Sequence, residues 1–412
     1  MRHGEILQHE GLPDIKGRVN ATEPYFGNLR TAKATDTFIS DGKTSSYTPS
    51  FTYHGFRYVL VSGFAGLTAA DIELQHFASA VPLKVSTAFP SSPTIAAIQR
   101  LALGAQRSNM MTVLTDCDQR DERLGWMGDA DLSADTILTN YDAKAFLAAD
   151  MQSMQDETDA DGSLSDVVPN VRFGGRPGDP SWTAALPQLA FTISKYCGDL
   201  APAKAAWPKL VLHMSHYATL AKASKSKWPP TKYGDWVPAP FPAGKQANAV
   251  KPSRPYTSAF AYVKVTQMMV ELGTKLGEDV SAYKTLLTTL EAQFKAEFYH
   301  AGNNTFDTGI ETGFSLGLAL GQSLHNTTDA KAFANFLSVV KAKKMHETTG
   351  IIGGKFFYST LAAGGQAETA LTVLEKTDYP SYGYMFANKQ EPATENMWEL
   401  MDANSEGTGM NR

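Results

Sequence analysis

Only two cysteines occur in the 412-residue chain, Cys117 and Cys197. They are too few for a disulfide framework and lack the spacing of a metal-binding pair, so both read as free thiols. No apolar run approaches the ~20 residues of a membrane span, which leaves no membrane partner to expect. The opening MRHGEILQHEG holds no hydrophobic stretch of a signal peptide. Basic residues are not in excess: 37 Lys and Arg stand against 42 Asp and Glu, for a net charge of −5. Such a chain has no basic footprint, and nucleic acid is not an expected partner. Charged residues amount to 19% and hydrophobic ones to 43%, ordinary for a globular chain long enough to bury a large core. Asn-x-Ser/Thr triplets at Asn20, Asn303 and Asn326 are about what chance supplies; they permit secretion and leave the compartment open.

The first 85 residues read as β. ATDTFISDG and FRYVLVSGF are rich in Thr, Tyr, Phe and Val between turn signals, and PSFTYHGFRYVLVSG reads as two strands hinged at Gly55. The pattern changes at FPSSPTIAAIQRLALGAQ, where Ser92 is placed to cap a helix with Pro93 at its first position. Helical spacing then recurs near 92–106, 129–139, 142–157, 187–197, 203–222, 257–276, 279–298, 309–322, 328–343, 351–363 and 366–377. Short links between them imply antiparallel hairpins, and no strand–helix alternation suggests a parallel sheet. Eleven helices fall one short of six hairpins, so the chain reads as cut short at its C-terminus. Its start reads as internal, because the β segment has too few strands for a closed sandwich. The exception to the helices is residues 222–256, whose seven prolines exclude helix. With Trp228 and Trp236 inside it, this segment reads as a binding loop rather than a linker.

DCDQRDERLGWMGDAD, residues 116–131, concentrates six acids, two arginines and a tryptophan. A calcium loop is excluded, since there is no DxDxDG and Arg120 and Arg123 stand where ligands would be needed. A structural ion-pair network is one reading; six acids against two arginines then leave negative charge to be hydrated or shared. The other reading is a pocket: an acid held near other carboxylates and an indole suits a general acid, and the face of Trp126 suits a sugar ring. His54 and His346 show no partner that would make either a ligand and read as structural. Met110, Met111, Met268 and Met269 read as core filling.

This segment closely resembles the signature of the α-L-rhamnosidases of glycoside hydrolase family 78, Asp-Cys-Pro-Gln-Arg-Asp-Glu-Arg-Leu-Gly-Trp-x-Gly-Asp. PSFTYHGFRYV, GAQRSN, YGDWV (233–237), TTGIIGG (348–354) and YPSYGYM (379–385) are similar to further family segments in the same order, so the resemblance covers nearly the whole chain. It implies a mainly α fold, an (α/α)6 barrel at 86–412, incomplete before its closing helix, preceded by part of a β-sandwich domain at 1–85. The implied activity is hydrolysis of terminal α-L-rhamnosides with inversion, without cofactor or metal. The implied substrates are flavonoid glycosides or pectic oligosaccharides.

Carried onto this sequence, the resemblance makes Glu122 the general acid. Asp116, Arg120 and Asp129 bind rhamnose hydroxyls, and Trp126, Trp182 and Trp236 line the pocket. Inversion needs a second carboxylate as base. Trp398-Glu399 supplies Glu399, with Glu395 as runner-up because the local spacing carries one extra residue. Two departures stand out. Asp118 replaces the family proline, and the chain stops at SEGTGMNR, before a histidine-bearing segment of the substrate pocket. Alternatives are therefore a rhamnose-binding protein whose truncation has removed turnover, or an (α/α)6 glycosidase for another sugar.

Overall fold

The structure, a computed structural model, describes residues 1–401 apart from 11, 13–18, 44, 85–88, 244, 324–329 and 389–395. Asn326, Glu395 and the boundary expected at 85 fall outside the described residues.

Regular structure is sparse before residue 85. Strand β1 (Arg2–Gly4) pairs antiparallel with β4 (Tyr58–Leu60), and β2 (Ile6–Leu7) with β3 (Pro24–Tyr25). The strand expected at ATDTFISDG is reduced to a single bridge, Thr35 to Arg2, and residues 51–57 form no ladder. A strand exists only where a neighbour takes its backbone hydrogen bonds, and β propensity cannot supply that neighbour. Phe38, Ile39, Phe51 and Phe64 of this part lie exposed.

Helices fill the remainder: α1 (Pro93–Asn109), α2 (Met127–Asn140), α3 (Lys144–Asp156), α4 (Pro180–Thr183), α5 (Ala185–Cys197), α6 (Ala201–Ala223), α7 (Tyr256–Leu276), α8 (Ser281–Phe298), α9 (Glu311–Ser323), α10 (Ala330–Ala342), α11 (Ile351–Ala363), α12 (Ala367–Leu374) and α13 (Tyr384–Ala387). Between α8 and α9 lies a small hairpin, β5 (Tyr299–His300) with β6 (Thr305–Phe306). As the sequence indicates, Ser92 caps α1: its Oγ accepts the Ile95 amide at 3.3 Å, with Pro93 in the first turn. Helix α5 begins two residues earlier than Pro187 suggests, because the first-turn amides of a helix have no internal partner and proline is tolerated there. The single turn α4 carries no apolar period; Asp179 accepts the Ser181 amide and Pro180 starts the turn.

The links are short. Gly198, at φ 66°, closes α5 before α6, and Gly277, at φ 79°, closes α7 before α8, each in the left-handed conformation that ends a helix cheaply with glycine. The pairs α2–α5, α7–α8, α9–α10, α9–α11 and α11–α12 pack side by side around one continuous apolar core. Phe314, Phe336 and Phe357 exemplify it, fully buried with successive ring centroids 5.9 and 5.5 Å apart. Each such burial contributes about 1.5–3 kcal/mol.

Between α6 and α7 the described residues of the proline-rich segment form no α-helix; one 3-10 turn, Gln246–Asn248, interrupts them. Its two tryptophans differ. Trp228 is fully buried, its indole nitrogen donating to Glu297 at 2.6 Å and its ring set among Phe294 and Phe298. It anchors the segment and is closed to ligand. The stretch that follows, residues 231–236, crosses the N-terminal ends of α2, α4 and α11.

Candidate active site

The signature segment is the turn-rich link from α1 to α2. It closes on itself: the Asp116 amide donates to the Leu124 carbonyl at 3.0 Å, and the Leu124 amide to Asp116 Oδ1 at 2.8 Å. The glycines that follow have specific work. A Cβ on Gly125 would lie 2.0 Å from the Val168 carbonyl oxygen, and one on Gly128 would lie 2.6 Å from the Trp182 indole. Only glycine lets the segment enter α2 against these neighbours. Trp126 is the residue before α2, paired by a β-bridge to Val167.

This folding brings Glu122, with Glu399 from far along the chain, onto one buried cation, while Asp131 pairs with Lys355 at 3.4 Å. Arg120 is 3% exposed, and its Nη2 lies 2.7 Å from Glu122 Oε2 and 3.1 Å from Glu399 Oε2. Burial opposes the Arg120 charge, but the carboxylates of Glu399 and Glu122 outweigh it and hold the guanidinium cationic. Arg30, from the β part, reaches Glu122 Oε2 at 2.5 Å. Cys117 donates to Asp116 Oδ2 at 3.0 Å; burial and then the Asp116 charge push the thiol well up, so it is no nucleophile. Burial raises Asp116 to about 6, against the hydrogen bonds from Cys117 and Leu124. Asp129 is likewise raised, by loss of hydration among its neighbours and then by the charges of Asp116 and Glu399.

Beside the acids stands an aromatic wall that the sequence reading only partly found. Tyr233 is its centre, with ring centroids 4.5 Å from Trp182, 6.0 Å from Trp126 and 6.1 Å from Trp236. Trp126 and Trp236 are half-buried, whereas Trp182 is 4% exposed and presents at most an edge. Three fully buried aspartates fix this wall. Asp179 Oδ2 accepts from Thr231 Oγ1, the Lys232 amide and the Tyr233 amide at 2.8, 2.5 and 3.1 Å. Asp166 Oδ2 accepts from Lys232 Nζ at 2.7 Å and the Tyr233 hydroxyl at 3.0 Å. Asp235 accepts the amides of Gly350, Ile352 and Gly353 at 2.8–3.1 Å, so it caps α11, while the Ile351 amide holds the Trp236 carbonyl.

Asp116, Arg120, Glu122, Asp129 and Glu399 thus share one cluster, and Trp126, Trp182 and Trp236 share the adjoining wall. Trp398 is buried against Leu101 and Met385, which fixes the backbone of Glu399. Asp118 stands away from the pocket, its carboxylate against Gly55 of the β part. His54, read as structural, is held within the β part, lying 3.1 Å from Asp36 and stacked on His3 with centroids 4.1 Å apart. His3, Asp36 and His54 could hold an ion, as could Asp116, Cys117 and Glu122. In the first group the near-parallel imidazoles, 17° apart, do not converge on one point, and in the second the arginines already bind Glu122. His346 is structural, bonded to the Pro380 carbonyl at 2.9 Å and near Asp378. Among the described residues, no helix is long and apolar enough to cross a membrane.

Residues 84–411 match the bacterial α-L-rhamnosidase six-hairpin glycosidase domain, and residues 1–78 the concanavalin-like domain of the same enzymes. The chain belongs to the bacterial α-L-rhamnosidase family. The chain is 28% identical to an α-L-rhamnosidase of Streptomyces avermitilis over 98% of its own length and 36% of the relative's. To one from Alteromonas sp. (strain LOR) it is 28% identical over 94% and 42%, respectively. Among solved structures, an α-L-rhamnosidase from Dictyoglumus thermophilum superposes with a TM-score of 0.83 at 29% identity, covering all of this chain and 44% of that one. The Streptomyces avermitilis enzyme complexed with L-rhamnose superposes with a TM-score of 0.82 at 25% identity, covering 37% of its chain. The chain therefore spans less than half the length of these relatives. Its architecture is the six-hairpin glycosidase domain preceded by part of the concanavalin-like domain.

Proposed function

We propose that this glycoside hydrolase chain cleaves terminal α-L-rhamnosides by inversion, with Glu122 as general acid and Glu399 as general base. The observation that carries the reading is that both carboxylates converge on Arg120 Nη2, beside an aromatic wall of sugar-binding character. The relative solved with L-rhamnose supports the sugar class. Rhamnosides of plant origin, flavonoid glycosides or pectic oligosaccharides, are the proposed substrates.

In this mechanism Glu122 gives its proton to the glycosidic oxygen as the bond from that oxygen to the anomeric carbon breaks. Glu399 takes a proton from a water that attacks the same carbon from the opposite face. Solvent then returns a proton to Glu122 and removes one from Glu399. Asp116, Arg120 and Asp129 hold the sugar hydroxyls, Trp126 and Trp236 pack against the ring and its methyl group, and Trp182 supports them through Tyr233.

The two oxygens on Arg120 Nη2, at 2.7 and 3.1 Å, lie closer together than the ~6.5–9.5 Å between the carboxyl groups of an inverting enzyme. Substrate and water therefore enter by displacing the Arg120 bridge, with a sugar hydroxyl replacing one carboxylate on the guanidinium. The same closeness favours a second reading, retention through a glycosyl-enzyme, which needs carboxyl groups ~5–5.5 Å apart. Hydrolysis of an alkyl α-L-rhamnoside, whose leaving oxygen needs a proton, by the chain and by its Glu122→Gln and Glu399→Gln forms tests the assignment. Each substitution is expected to cost at least about a hundredfold in kcat; an unchanged rate removes that residue from its role. With azide, rescue of Glu399→Gln as a rhamnosyl azide of inverted configuration follows from a base, and one of retained configuration from neither role.

A further inference from the structure

Arg30 lies outside every sequence motif and outside the helical domain, yet it touches the acid at the heart of the site. Its Nη1 is 2.5 Å from Glu122 Oε2 and 3.7 Å from Asp121 Oδ1. The next residue repeats the contact, the Thr31 hydroxyl donating to Asp121. Ninety-odd residues of sequence separate the two sides, so the turn at 29–32 and the signature segment form one contact between the β part and the barrel.

The backbone at Arg30 supplies a second observation. The Ala32 amide donates to the Leu29 carbonyl at 3.0 Å, closing a turn in which Arg30 is the second residue. Its φ of 57° and ψ of −116° match that position of a type II′ turn, which glycine normally occupies. A side chain there is strained, and strain of this kind persists where the surroundings over-determine it and clusters at functional sites. Glycine would build the same turn without cost. The arginine side chain is what the position gains in exchange, and its guanidinium is spent on Glu122 and Asp121.

We propose that Arg30 is a positioning residue contributed by the β part, aiming the Glu122 carboxyl at the glycosidic oxygen; this rests on Glu122 being the general acid. Arg120 alone would leave that carboxyl tethered from one side and drawn toward Glu399. With Arg30 pulling from the other side, Oε2 is held between two guanidinium groups and the remaining oxygen, Oε1, is the one turned to the leaving group. The concanavalin-like part then completes the active site rather than merely preceding it.

The test is Arg30→Gly, which keeps the turn and deletes the side chain, measured on a series of rhamnosides from 4-nitrophenyl to simple alkyl. A poor leaving group depends on protonation and a good one does not. The expected result is a loss in kcat of about tenfold or more on the alkyl rhamnoside, a several-fold smaller loss on the nitrophenyl one, KM changed less than kcat, and a melting temperature no lower than that of the parent. Arg30→Lys should restore part of the alkyl rate. Equal losses on all substrates with a lowered melting temperature would reduce Arg30 to a structural role, and no loss would remove it altogether. Glu122→Gln on the same series separates the two ideas: if it shows no leaving-group dependence, the acid assignment itself fails. Independently of turnover, melts of Arg30→Gly, Glu122→Gln and the double variant form a cycle; non-additive shifts are expected, and additive ones would overturn the contact.

Discussion

Asp235 and Gly350, 115 residues apart, are joined by a 2.8 Å hydrogen bond from the Gly350 amide to a fully buried carboxylate. The same carboxylate takes the Ile352 and Gly353 amides and the Thr312 hydroxyl at 3.0, 3.1 and 2.5 Å. This single side chain fixes the start of α11, and through it the position of Trp236. An asparagine can offer only one accepting oxygen to these donors and turns its amide toward the rest. Asp235→Asn is therefore expected to cost about 2–3 kcal/mol of stability, the penalty of buried donors left unmade. It should also raise KM, because Trp236 is released. A denaturant melt with kinetics checks both; a variant equally stable and equally tight for substrate would refute the anchoring.

Gly128 decides how closely α2 approaches Trp182. Replacing it with alanine gains up to about 1 kcal/mol of helix propensity. The new Cβ would meet the indole at 2.6 Å, and neither a rigid ring nor a buried helix can yield without repacking. Overpacking of this kind costs about 1–3 kcal/mol, so Gly128→Ala is expected to destabilise and to disturb the tilted ring contact between Trp182 and Tyr233. Near-ultraviolet circular dichroism and a thermal melt read the two effects; a stabilised variant would show that the approach is looser.

Away from the site, Glu347 is buried and carries a pKa raised by that burial to about 7, eased by hydrogen bonds from Thr349 and Tyr358. In the window between its ordinary value of 4.5 and about 7, the folded chain binds more protons here than the unfolded one. Stability from this group is accordingly full at low pH and lost as pH rises through the window. Glu347→Gln keeps an acceptor for Thr349 and removes the charge. It is expected to stabilise the protein relative to the parent by on the order of 2 kcal/mol more at pH 8 than at pH 4.5. Equal differences at the two pH values, by calorimetry, would contradict a buried charge at Glu347.

The sequence displays some of these features because their signals are local. Ser92-Pro93 announces α1 through capping chemistry, and the prolines of 222–256 forbid a helix wherever the segment lies. The acids of 116–131 announce themselves by density, and the motif order carries the resemblance. What stays hidden depends on partners distant in the chain. ATDTFISDG has the residues of a strand but no ladder beside it. Arg30 meets Glu122 with nothing in either neighbourhood to foretell it. Asp166, Asp179, Asp235 and Glu347 look like surface acids until the fold buries them on backbone amides and hydroxyls. Tyr233 was in view within YGDWV, and a tyrosine beside a tryptophan in a loop is the one cue that could have marked it.

The account stands or falls on two carboxylates acting from opposite faces of a rhamnosyl ring. Proton NMR of the first sugar released from 4-nitrophenyl α-L-rhamnoside, followed before mutarotation, tests this directly. The account predicts β-L-rhamnose as the first anomer, with the α form appearing only as the sugar equilibrates. α-L-Rhamnose appearing first would contradict inversion and make the second carboxylate a nucleophile.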